Sequence, residues 1–83
     1  MAEFNPMAIG ARIRELREDH LLTKRGFLQE LGCSSNTKST WWEDGTYTPS
    51  AYYLFMIAQR FQVSVDWLLG LTDQKYIRKV WKG

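Results

Sequence analysis

The stretch with the most distinctive chemistry is Ser34-Ser35-Asn36-Thr37-Lys38-Ser39-Thr40, followed by Trp41-Trp42-Glu43. Hydroxyls, one amide and one ammonium can donate and accept hydrogen bonds, but they form no nucleophile–base pair and no metal-ligand set. The residues that serve those purposes elsewhere stand alone here. His20 is the one histidine and Cys33 the one cysteine. His20 reads as a solvated residue at a helix end. Cys33 reads as a small turn residue, with no base near it in sequence to activate a thiol. The carboxylates are scattered over helix surfaces, and no glycine-rich phosphate loop is present. The chain is therefore expected to be no enzyme, to hold no metal or cofactor, and to take no small-molecule substrate.

Helices must position that polar run. From about Met7 to Asp19, Ile9, Ile13 and Leu16 recur at helical spacing, which leaves Arg12, Arg14, Glu15 and Glu18 for the wet face. Asn5 is the expected cap, with Pro6 at the first position, where a missing N–H costs nothing. A short second helix is expected from Thr23 to Leu31. Its buried face is Phe27, Leu28 and Leu31, and Gly32 stops it. Gly26 within it should cost about 1 kcal/mol relative to alanine. A third, unusually polar helix is expected from a cap at Ser35 to Glu43 or Asp44, ended by Gly45. So polar a helix gains little from burial, and its surface must have another use. After the loop Thr46-Tyr47-Thr48-Pro49, a fourth helix runs to about Phe61 with Leu54, Ile57, Ala58 and Phe61 on one side. Gln62 and Val63 break it, and Ser64 caps a fifth, Val65 to Leu69, stopped by Gly70. The basic and aromatic segment from Gln74 to Lys82 can form a sixth, short helix on Tyr76, Ile77 and Val80. No alternation lasts long enough to argue for a sheet. The expected fold is all-α, a compact bundle of about five short helices.

Bulk properties agree. At 83 residues the chain is one domain, expected over 7–73. Residues 1–6 are set aside as an unstructured start or an expression scar, and 74–83 form a tail. The composition is 45% hydrophobic, enough for a small core. Eleven Lys and Arg against nine Asp and Glu give a net charge of +2, too mild to identify a polyanionic partner alone. One cysteine excludes an intrachain disulfide and fits a reducing, cytoplasmic setting. No apolar run approaches a membrane span, and Met1 to Pro6 lacks the shape of a signal peptide.

A helix can enter the major groove of duplex DNA when its outer face is free of bulky apolar groups and rich in hydrogen-bonding ones. The run from Asn36 to Thr40 supplies such a face. Thr23, Lys24 and Arg25 stand at the start of the preceding helix, where backbone N–H groups and cations suit a phosphate. Thr48 to Ser50 open another helix in the same way.

From Leu22 to Leu71 the chain resembles the XRE-type (lambda repressor and Cro-like) helix-turn-helix family. The pieces that carry the resemblance are Ile13-Arg14-Glu15-Leu16-Arg17, Leu22-Thr23, Leu31-Gly32, Trp42-Glu43-Asp44-Gly45, Pro49-Ser50 and Val63-Ser64-Val65-Asp66-Trp67-Leu68-Leu69-Gly70. The resemblance rests on their order and spacing together, and it implies a lambda-repressor-like fold and a transcriptional regulator, a repressor, that binds double-stranded DNA sequence-specifically. It places the recognition helix over about 35–44, with Asn36, Thr37, Lys38, Thr40 and Trp41 toward the bases. Thr23, Lys24, Arg25, Ser35, Tyr47 and Thr48 fall toward the sugar–phosphate backbone. It also implies an ion pair between Arg17 and Glu43. Three departures stand out. Lys24 replaces the family's glutamine, the turn after Gly32 is one residue longer, and Leu28 and Ser39 exchange large for small.

A domain this size offers few base contacts, so a homodimer on a palindromic operator is expected, with half-sites about one helical turn apart. Trp67, Leu71, Tyr76, Ile77, Val80 and Trp81 are the candidate interface residues. The rival reading is a protein-interaction module, such as an antitoxin, on the same fold.

Overall fold

The computed structural model describes residues 3–33 and 42–77. Four helices lie wholly within them: α1 (Pro6–Asp19), α2 (Lys24–Glu30), α3 (Ala51–Phe61) and α4 (Val65–Leu69). Trp42 and Glu43 are also helical. They fall within the polar helix expected over 35–44, Asp44 is already in a turn, and residues 35–41 lie outside the described residues. The one β feature among the described residues is an isolated antiparallel bridge between Val63 and Tyr76. The fold is all-α.

Each helix starts where a side-chain oxygen can satisfy its free N–H groups. Asn5 accepts from Met7 and Ala8, with Pro6 at the first position. Thr23 accepts from Gly26, Ser50 from Tyr53 and Ser64 from Trp67. Asn5 and Pro6 thus open α1 as expected. Gln62 and Gly70 end α3 and α4 in the left-handed region, with φ of 58° and 85°. The α1–α2 turn closes on Arg17. Its carbonyl accepts from Leu22 N–H at 3.0 Å, and its Nη1 donates to the Leu22 carbonyl at 3.0 Å.

The capped helices bury one continuous core. Ile9, Ile13 and Leu16 of α1 meet Phe27, Leu28 and Leu31, then Ile57 and Phe61 of α3, Val63, and Trp67 and Leu68 of α4. Phe27 and Phe61 stack with centroids 5.1 Å apart and planes 7° from parallel. His20 lies at the exposed end of α1, edge-on to Phe61 at 4.8 Å.

Two expectations change. First, Arg12 does not belong to a wet face. Its Nη1 donates to the carbonyls of Trp67 at 2.6 Å and Thr72 at 2.8 Å, and its guanidinium lies 5.0 Å over the Trp67 ring. The Trp67 carbonyl also accepts from Gly70 N–H at 3.1 Å, so Arg12 is a second donor where α4 ends. Second, the tail does not start as a helix. Residues 74–77 are extended, and they are tied by Ser64 N–H to the Lys75 carbonyl at 2.9 Å and by Ile77 N–H to the Gln62 carbonyl at 3.4 Å. Two backbone bonds to residues 62 and 64 and the Lys75 anchor outweigh the weak helical period on which the expectation rested. Glu15 keeps its expected place on the exposed face of α1. Lys75 Nζ donates to its carboxylate at 2.8 Å and also to Asp19, so the tail is pinned to α1.

Burial pulls the Lys75 ammonium's pKa down, but the bonds from Asp19 and Glu15 outweigh it and hold the value above 10.5. A raised folded value means that the stability is fully present below the unfolded pKa and is lost as pH rises through the folded one. Lys75→Met is expected to lower the unfolding free energy by about 1 kcal/mol at neutral pH, between the exposed and buried cases. The gap from wild type should shrink only above pH 10.5. Urea denaturation at neutral and strongly alkaline pH measures both.

Candidate nucleic-acid interface

The sequence reading places its base-contact residues, Asn36, Thr37, Lys38, Thr40 and Trp41, and the backbone contact Ser35 on a segment outside the described residues, as is Ser39, the partner expected for Leu28. The anchorage on either side of that segment is described. On the near side, Cys33 N–H bonds the Leu28 carbonyl at 2.9 Å, beyond the end of α2. On the far side, Trp42 is buried with its ring 5.3 Å from Tyr53. Tyr53 also hydrogen-bonds Cys33, and that bond, together with burial, raises the phenol's pKa. One side chain of α3 therefore touches both flanks.

Glu43 fixes the far flank to α1. Its side chain is 1% exposed. Arg17 grips it in two places, Nε to Oε2 at 2.8 Å and Nη2 to Oε1 at 3.2 Å. Arg14, one turn earlier, adds Nε to Oε1 at 3.3 Å. The bond from Glu43 raises the Arg17 pKa against the opposing effect of burial. The helices come close enough for this because residue 10 has no side chain. A Cβ on Gly10 would sit 2.2 Å from the Trp42 carbonyl oxygen and 2.7 Å from that of Glu43. Gly45 repeats the constraint at φ +82°, where a Cβ would lie 2.8 Å from Met7 Cγ.

The remaining candidates lie around this anchor. Thr23 is exposed and caps α2, Arg25 is exposed, and Lys24 is half-buried. Asp44 accepts from Thr46 N–H at 2.8 Å. Its pKa is lowered first by the Thr46 bonds and to a smaller extent by the charge of Lys24. Tyr47 and Thr48 are exposed on the loop into α3. Trp67 needs correction as an interface candidate. It is 4% exposed, flanked by Arg12 and Lys75, and has no face to offer a second chain. Leu71, Tyr76 and Ile77 are exposed; Val80 and Trp81 lie outside the described residues.

Sequence reasoning missed Arg14 and Gly10. The spacing of Arg14 and Arg17 was a usable signal, since residues three apart share a helix face. Gly10 gave none, because its neighbour is another backbone. Among the described residues no cluster of His, Cys, Asp or Glu could hold a metal ion, and no helix is long and apolar enough to cross a membrane.

Arg17→Met should destabilise the fold by about 3 kcal/mol, because it strands a buried carboxylate; Arg14→Met should cost under about 1 kcal/mol. Gly10→Ala sets a helix-propensity gain of about 1 kcal/mol against overpacking of about 1–3 kcal/mol. With backbone carbonyls as the obstacle, overpacking wins and the variant is expected to melt earlier. Chemical denaturation of the three variants measures the order; a more stable Gly10→Ala would refute the close approach.

No family model matches the chain. Over 62 residues, 75% of this chain, it is 34% identical to a protein of Bacillus subtilis (strain 168) described as an uncharacterized HTH-type transcriptional regulator, YobD. The match takes in 54% of that protein, so the chain spans about half the length of the curated relative it matches. Among solved structures, the P22 c2 repressor protein in complex with synthetic operator 9T superposes with a TM-score of 0.70 at 26% identity, over 77% of this chain and 96% of that one. With the helix order and the anchoring described above, these likenesses show a helix-turn-helix domain that is XRE-like and lambda-repressor-like in fold.

Proposed function

We propose that this protein is a sequence-specific double-stranded DNA-binding transcriptional regulator, acting as a repressor. The observation that carries the reading is the likeness to a repressor solved on its operator, which extends over nearly all of that chain. In this reading the segment about 35–44 lies in the major groove. Asn36 and Thr37 come nearest the base edges, where an amide can pair with adenine and a threonine can bond or touch a thymine methyl. Lys38, Thr40 and Trp41 extend the contact. Thr23, Lys24, Arg25, Ser35, Tyr47 and Thr48 meet the sugar–phosphate backbone. Lys24, where the family places glutamine, shifts this contact toward plain charge attraction. The described geometry supports the assignment by holding both flanks of the segment to the core while leaving Thr23, Arg25, Tyr47 and Thr48 in solvent.

Few base contacts per domain favour a homodimer on a palindromic operator. Of the candidate interface residues, Leu71 and Tyr76, each 61% exposed, and Ile77, 47% exposed, are described and open to solvent. The tail's Val80 and Trp81 extend the candidate surface. The reading needs no catalysis, cofactor or small-molecule substrate, and it places the protein with DNA in the cytoplasm.

Selection of bound sites from a random duplex library, followed by affinity measurement over a range of salt, tests this. The expected result is a two-fold-related pair of half-sites about one turn apart, with affinity falling steeply as salt rises. Failure to bind any duplex at low salt would overturn DNA binding and leave the protein-interaction reading. A single, unrepeated site would overturn the dimer alone.

A further inference from the structure

We propose that Arg14 is an additional contact to the DNA backbone, an α1 arginine that meets a phosphate beside the start of α2; the proposal rests on the DNA-binding reading above. Arg17 alone satisfies both oxygens of the Glu43 carboxylate. Arg14 shares one of those oxygens through Nε at 3.3 Å, and its side chain is 54% exposed against 14% for Arg17. Two cations thus stand on one buried anion. Glu18 is 63% exposed and lies 3.9 Å from Arg17. Of the two cations on Glu43, Arg14 is the more exposed.

Its position suits a phosphate. Arg17 bonds the Leu22 carbonyl, immediately before the Thr23 cap. Arg14 and Arg17 meet on Glu43, and Arg17 in turn holds the chain entering α2, so the three share one neighbourhood. Arg25, two residues after the Thr23 cap, is exposed. A guanidinium offers a planar fork of donors matched to phosphate oxygens, and a fork already oriented loses less freedom on binding. The Nε bond to Glu43 supplies that orientation while more than half of the side chain stays open.

The test compares wild type, Arg14→Gln and Arg14→Lys on the duplex selected by the wild type, across a fourfold range of salt. For one lost phosphate contact, the slope of log affinity against log salt should be shallower by about 0.9 in Arg14→Gln, so its affinity falls about three- to fourfold less over that range. Base preference should be unchanged, and Arg14→Lys should keep the wild-type slope. An Arg14→Gln slope equal to wild type overturns the contact while leaving DNA binding intact. So does an unchanged slope with altered base preference, which would make Arg14 a positioning residue acting through Glu43. A wild type that binds no duplex overturns the underlying reading instead. A measurement on the wild type guards against a variant that fails to fold: the Arg14 Nε–H resonance should shift when duplex is added, and a resonance that stays in place overturns the proposal.

Discussion

The carboxylate of Glu43 is the constraint on which the rest of the domain depends. An ionised group with 1% of its side chain exposed is tolerable only if its lost hydration is replaced. Two arginines from one face of α1 replace it. The requirement propagates in both directions. Arg17 must sit where its remaining nitrogen can also hold the α1–α2 turn, and Gly10 must lack a side chain so that α1 can lie against the carbonyls of residues 42 and 43. Buried ion pairs of this kind add little stability over an apolar pair of the same shape, yet breaking one is costly. The pair's effect is to allow one arrangement and penalise the others.

The opposite side of α1 is organised by cations as well. Arg12 reaches two carbonyls at the end of α4 and the loop after it. Lys75 joins the tail to Glu15 and Asp19. Trp67 lies between them, within about 5 Å of each charged group, a distance at which the indole quadrupole attracts a cation. A five-residue helix has too few internal bonds to persist alone; here side chains from elsewhere satisfy its end and cover its ring.

Much of this was legible in the sequence. The apolar stripes, the caps at Asn5, Thr23, Ser50 and Ser64, and the stops at Gln62 and Gly70 are local signals, and local signals determine where helices begin and end. The reading failed where a residue's partner lies far along the chain. Arg12 looked like a surface cation because its acceptors are Trp67 and Thr72, more than fifty residues away. Trp67 looked like a spare apolar surface because the two cations that cover it come from α1 and the tail. The tail's weak helical period yielded to backbone bonds with residues 62 and 64. Of the candidate site, the flanks and the helix starts are described, and the polar segment between the flanks was read from composition and family pattern.

The double contact of Tyr53, with Cys33 on one flank and Trp42 on the other, has an evolutionary consequence. Residues 33 and 42, on either side of the polar stretch, answer to the same phenol ring. A change at position 53 therefore acts on both at once, and a change at 33 or 42 is constrained by what the other needs from Tyr53. The two flanks are coupled in evolution through one side chain of α3, and neither can drift without the other.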